Sequence, residues 1–99
     1  MSNKVIFSTG AEKELQISFN WYEDQKVGLG ERFLSVIDHA VSSIGKNPEF
    51  YPVKINSYRQ YVVAKFPYVI VYEFIADQEI IYILHIFNVH QNPAKKLAP

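Results

Sequence analysis

The chain has 99 residues, of which 48% are hydrophobic, 15% aromatic and 20% charged. That balance excludes a disordered tail or a collagen-like fibre and sets the expectation of one domain spanning residues 1–99. Ten Lys plus Arg against ten Asp plus Glu give zero net charge, so no whole-molecule field draws in nucleic acid or anionic membrane, and the lack of cysteine excludes disulfide, zinc-thiolate and thiol-nucleophile chemistry.

Lys4 to Phe7 is a short β-prone start without the basic and apolar segments of a secretion signal. Thr9 and Glu12 have the spacing of a capping box. From there Ala11, Leu15, Ser18, Phe19 and Tyr22 recur in steps of three and four, which predicts a first helix to about Gln25. Gly28 and Gly30 break it. Leu29, Phe33, Val36, Ile37, Ala40, Val41 and Ile44 then form the apolar stripe of a second helix, ended by Gly45 and Asn47-Pro48.

Two helices joined so closely form a hairpin, and neither buries its stripe without a further layer. The second half supplies that layer. Tyr61 to Lys65, Tyr68 to Ile75 and Ile80 to Val89 are rich in Val, Ile, Tyr and Phe, and a further strand is expected around Val53 to Ile55. The short turn Ala76 to Glu79 pairs the last two strands as an antiparallel hairpin. Ile80 to Phe87 is apolar on both faces apart from His85, the mark of a covered central strand. This order predicts an α+β fold, βααβββ with one optional further strand, in which a helical hairpin packs on one antiparallel sheet. The apolar run at Ile80 to Leu84 is far short of the roughly 20 residues that span a bilayer, so a cytoplasmic protein with no membrane partner is expected.

Several segments resemble the RelE/ParE toxins of type II toxin-antitoxin systems. They are Ala11 to Leu15, Trp21 to Gln25, Gly28 to Phe33, Tyr58-Arg59-Gln60-Tyr61, Phe66-Pro67-Tyr68 running to Tyr72-Glu73, and the closing Ile86 to Pro93. The likeness covers nearly the whole chain in the family's order and spacing. It implies a toxin neutralised by a cognate antitoxin, and two mechanisms live on that fold. ParE-like members inhibit DNA gyrase. RelE-like members cut mRNA in the ribosome, with basic residues on the phosphate and a general acid and base at the 2′-hydroxyl. An orphan that survives as a non-toxic binding module is a third reading.

In-line attack of a 2′-hydroxyl needs a base, an acid and cations for the developing phosphorane charge. His90, Arg59, Lys65 and Tyr68 are the candidates for catalysis. The resemblance places an Arg of the nucleases where Val69 stands and a late catalytic Arg near Gln91. Both departures favour a protein target, and enzymatic activity is not the leading expectation. For contact with antitoxin or target the candidates are Arg59, which the family aims at the concave sheet surface, Tyr61, Trp21, Tyr22, Lys95 and Lys96. His85, among apolar neighbours, reads as a satisfied half-buried residue. No metal or cofactor site is expected, since the three His at 39, 85 and 90 lack helical pairing and no Gly-rich phosphate loop follows a strand. The apolar surface of the hairpin makes a homodimer a further possible partner state. Up to residue 49 there are five basic and seven acidic residues, and beyond it five and three, so the helical half carries −2 and the strand half +2. That polarity suits an acidic antitoxin arm lying on the strands.

Overall fold

The computed structural model describes residues 3–90. In chain order they form β1 (Lys4–Phe7), α1 (Thr9–Gln25), α2 (Leu29–Lys46), β2 (Val53–Ile55), β3 (Tyr58–Val62), β4 (Tyr68–Ile75), a single 3-10 turn at Ala76–Gln78, and β5 (Ile80–Asn88). The helix cap lies one residue before the expected Thr9: the Ser8 hydroxyl accepts the Ala11 N–H at 3.0 Å. Ser8 holds this position because its hydroxyl also donates to the Leu84 carbonyl at 2.9 Å, so one side chain caps α1 and ties it to β5.

The turn between the helices is built around one carboxylate. Glu23 accepts the N–H of Gly28 through Oε2 and that of Gly30 through Oε1, both at 2.9 Å, and so places negative charge at the positive end of α2. Gly28 caps α2 with φ at 90°, a left-handed conformation that glycine adopts without steric cost. Gly30 belongs to α2 instead of breaking the chain. A Cβ there would stand 2.8 Å from the Phe19 carbonyl oxygen and 2.9 Å from the Phe19 ring, so the helices cross in backbone contact at this point.

The five strands lie in the order β1-β5-β4-β3-β2. All neighbours are antiparallel except β1 and β5, which run parallel, so the sheet is mixed where a purely antiparallel one was expected. The physical reason is the long excursion between them: a parallel pair needs an extended crossover, which the helical hairpin and three strands provide. β3 begins at Tyr58 and ends at Val62, three residues earlier than the expected Tyr61 to Lys65. Lys65 has φ at 75° and stands with Pro67 in the link to β4, where strand geometry stops. Asn56, with φ at 51°, makes the turn before β3.

Side chains alternating along β4 and β5 divide the core in two. Toward the helices, Tyr68, Ile70, Tyr72, Ile81, Ile83 and Ile86 pack against Phe33, Ile37 and Ile44 of α2 and Ala11 and Tyr22 of α1. On the other face Val69, Val71 and Phe87 are buried with Tyr58 beside them. The expectation that Ile80 to Phe87 is a central strand covered on both sides therefore holds, and β4 shares the arrangement. β5 carries a bulge, since Val71 opposes His85 while Tyr72 opposes Ile83, which leaves Leu84 as the extra residue. Among the described residues no helix is long and apolar enough to cross a membrane.

Two glycine substitutions should move stability in opposite directions. Gly30→Ala forces the helices apart and should cost about 1–3 kcal/mol. Gly10→Ala, whose Cβ meets only the Ser8 hydroxyl at 3.8 Å, should be neutral or stabilising by up to about 1 kcal/mol. Urea unfolding midpoints check both, and a tolerated Gly30→Ala would contradict the close crossing.

Candidate functional site

An aromatic cluster locks the end of α1 to the start of α2 and β4. Tyr22 packs on Phe33 and Phe66 at ring-centroid distances of 5.1 and 5.0 Å, and Phe33 meets Tyr68 at 4.9 Å. Tyr68 turns its hydroxyl inward and donates to Ser18 Oγ at 2.9 Å. Burial first, then the closeness of Tyr68 and a hydrogen bond with it, push the Tyr22 phenol up to about 12. Tyr22 is thus a core staple. Trp21, edge-on to it at 5.1 Å, is 58% exposed and belongs to the surface.

Above this cluster a cleft of about 350 Å³ opens between α1 and the end of β5, lined by Ile17, Ser18, Trp21, Tyr68, Asn88 and His90. Ile17 and Trp21 lie one helical turn apart on the side of α1 away from its buried stripe, and Ile17 is 61% exposed. β5 stops at Asn88, whose Oδ1 accepts the His90 N–H at 2.8 Å, and the Val89 N–H goes to the Pro67 carbonyl at 2.8 Å. These bonds fix His90 at the cleft mouth. Of the four catalytic candidates, His90 and Tyr68 share this cleft. Among the described residues its lining contains no lysine or arginine.

Arg59 is elsewhere and already engaged. It stands opposite Tyr72 on the helix-ward face, and its Nη1 donates to the carbonyls of Tyr51 at 2.6 Å and Glu49 at 3.1 Å. Glu73 accepts from the Ser57 hydroxyl at 2.6 Å. The Tyr72 hydroxyl donates to the Pro48 carbonyl at 2.6 Å, and the Tyr61 ring packs on Tyr51 at 4.8 Å. Arg59, Tyr61 and Tyr72 therefore hold the segment between α2 and β2 against the sheet. Burial raises the Tyr72 phenol to about 12, with Arg59 opposing and Tyr51 adding to the shift. Lys65 is exposed in the link before β4. Lys95 and Lys96, like Gln91, lie outside the described residues.

A second apolar surface runs along the outside of the hairpin. Phe7, Leu15 and Leu34 line two adjoining grooves there, of about 540 and 380 Å³, with Glu12, Glu31 and Asp38 also along them. Ile17 and Leu34 were not singled out from the sequence. The available signal was apolar residues at helical spacing outside the buried stripe. Among the described residues no group of three or more His, Asp or Glu converges on a metal position.

A family model described as "ParE toxin of type II toxin-antitoxin system, parDE" matches residues 5–93. Among solved structures, a chain of the chromosomal ParDE toxin-antitoxin system from P. aeruginosa superposes with a TM-score of 0.77 at 14% identity, covering 88% of this chain and 96% of that one. A chain of the intact E. coli RelBE toxin-antitoxin complex gives 0.69 at 12% identity, covering 90% and 99%. One from the RelBE2 complex of Mycobacterium tuberculosis gives 0.63 at 17%, covering 89% and 99%. No curated protein sequence matches the chain.

The raised phenols of Tyr22 and Tyr72 give an alkaline prediction. Their neutral forms are favoured in the folded state, so the stability they contribute is complete below the ordinary tyrosine range near pH 10 and is lost as pH rises toward about 12. Absorbance titration should show the buried phenols ionising later than the exposed ones, with unfolding setting in over the same window. Full ionisation at ordinary tyrosine pH in a folded chain would contradict the burial.

Proposed function

Because the chain belongs to the ParE toxin family of type II toxin-antitoxin systems, we propose that it acts in the cytoplasm by binding a protein target, DNA gyrase, and is neutralised by a cognate antitoxin. The observation that carries this reading is the exposed pair Ile17 and Trp21 over a cleft whose lining, among the described residues, holds no lysine or arginine. Large apolar side chains at the rim of a shaped cleft suit a protein surface, where aromatic anchors supply most of the binding energy. A phosphoryl-transfer site would instead need fixed positive charge where the pentavalent centre forms, and Arg59 is committed to two loop carbonyls.

The antitoxin reading is supported by the hairpin grooves. Their apolar lining and the carboxylates of Glu12, Glu31 and Asp38 suit a segment with one apolar face and flanking Lys or Arg. This differs from an acidic arm lying on the strands. One observation favours the ribonuclease alternative: His90 and Tyr68 line one cleft, although the Tyr68 hydroxyl is turned inward to Ser18.

The purified chain should inhibit gyrase supercoiling, and Ile17→Ser and Trp21→Ala should each weaken inhibition by about tenfold without loss of folding. His90→Ala should leave inhibition intact. Intact supercoiling together with mRNA cleavage on translating ribosomes, abolished by His90→Ala, would overturn the proposal. Induced expression with no growth defect would point to a non-toxic binding module.

A further inference from the structure

β5 keeps unused backbone groups where the cleft opens. β1 pairs with it only as far as Ile83, and beyond that point the Ser8 hydroxyl donates to the Leu84 carbonyl and Glu14 Oε1 accepts the Ile86 N–H, each at 2.9 Å. The same carboxylate oxygen stands 3.4 Å from His85 Nδ1. These side chains serve the edge no farther than Ile86. Two residues on, Asn88 lies opposite Tyr68, whose N–H goes to the Phe66 carbonyl and whose own carbonyl accepts the Val63 N–H. Tyr68 has nothing left for Asn88, so the two form a non-hydrogen-bonded pair of the ladder. The Val89 N–H reaches across to Pro67 on the β4 side, and by alternation the Asn88 N–H and carbonyl point the other way, toward the edge that β1 leaves open. Among the described residues neither group has a partner. The side chain adds donors of the same kind: Oδ1 accepts the His90 N–H at 2.8 Å, which leaves both N–H groups of Nδ2 unused. Asn88 is half-buried and lines the cleft together with Ile17 and Trp21.

We propose that the end of β5 is a strand-docking site: an extended segment of the protein target takes up the ladder where β1 stops, exchanges backbone hydrogen bonds with Asn88, and rests an apolar side chain on Ile17 and Trp21. This deepens the proposed function and rests on its reading of a protein target. A donor and an acceptor side by side on a strand edge match another backbone in extended form, carbonyl to N–H and N–H to carbonyl. Nδ2 supplies donors for a further carbonyl of the same segment. Charge points the same way. With no lysine or arginine in the lining among the described residues, the acceptor that fits is a neutral carbonyl, whereas a phosphate or carboxylate calls for a cation beside it. Across the cleft Ile17 and Trp21, 61% and 58% exposed, supply the apolar half. The backbone of Asn88 then sets the register of the docked segment, and the Ile17–Trp21 pair selects its side chain.

The test follows hydrogen exchange of the Asn88 amide in the full chain, free and bound to purified DNA gyrase. It also measures gyrase binding by Asn88→Asp, which keeps an acceptor for the His90 N–H and replaces the Nδ2 donors with a second acceptor. The Asn88 amide should exchange readily in the free chain and slow by about tenfold or more in the complex, while the Ile86 and Val89 amides, already bonded, change less. Asn88→Asp should melt at the native temperature and bind gyrase about tenfold more weakly. An Asn88 amide that stays unprotected in a gyrase complex, or native affinity in Asn88→Asp, would overturn the docked strand and leave gyrase as the target. A chain that does not bind gyrase, or whose Asn88 amide is protected by single-stranded RNA instead, would overturn the target and the docked strand together.

Discussion

The structure depends on how the edge of β5 is closed. This strand has β4 along one side for its full length, but β1 reaches only to Ile83 on the other. A buried strand edge with unpaired amides and carbonyls costs free energy comparable to the hydrogen bonds it forgoes. The chain solves this by turning from β1 into α1 at Ser8, whose N–H and hydroxyl bond to the carbonyls of Ile83 and Leu84, and by letting Glu14 accept from Ile86. α1 thus continues the ladder with side chains. Its angle across the sheet follows from those bonds, and the positions of Ile17, Ser18 and Trp21 follow from that angle.

The rest of the polar chemistry is spent on joints in the same manner. Glu23 closes the turn into α2, and Arg59 and Tyr72 hold the segment that leaves it. Charged and phenolic groups that look available in a list of residues are engaged with backbone atoms that would otherwise be unpaired. The surface offers a partner apolar side chains, Ile17 and Trp21 at the cleft and Phe7, Leu15 and Leu34 along the hairpin, with the carboxylates of Glu12, Glu31 and Asp38 beside the latter. Phe50 and Val62 are further exposed apolar residues, on the β2–β3 side of the sheet.

Much of the fold was legible because the period changes once, from helical spacing before Pro48 to strand character after it. The stripe Phe33, Ile37, Ala40 and Ile44 and the runs in β4 and β5 need no long-range information to be recognised. The parallel pairing of β1 was not legible, since four apolar or β-prone residues do not say which strand they join. Site residues fared less well. Arg59 reads as a free cation until the carbonyls of Glu49 and Tyr51 are seen around it, and those contacts depend on the path of a loop. His85 reads as an interruption of an apolar strand. The bulge that brings it to Glu14 joins residues 71 positions apart in the chain, which no local pattern encodes.

Under the proposed function, this member of the ParE toxin family works through apolar contact with a protein and not through a polyanion. The +2 of the strand half includes Arg59, which is engaged, and Lys95 and Lys96 beyond the described residues. The most direct measurement is binding of the purified chain to single-stranded RNA over a series of salt concentrations. No binding that competes with its protein target and no steep dependence on salt are expected. Tight binding that falls by about a thousandfold between low and moderate salt, the signature of several phosphates neutralised by fixed cations, would contradict it.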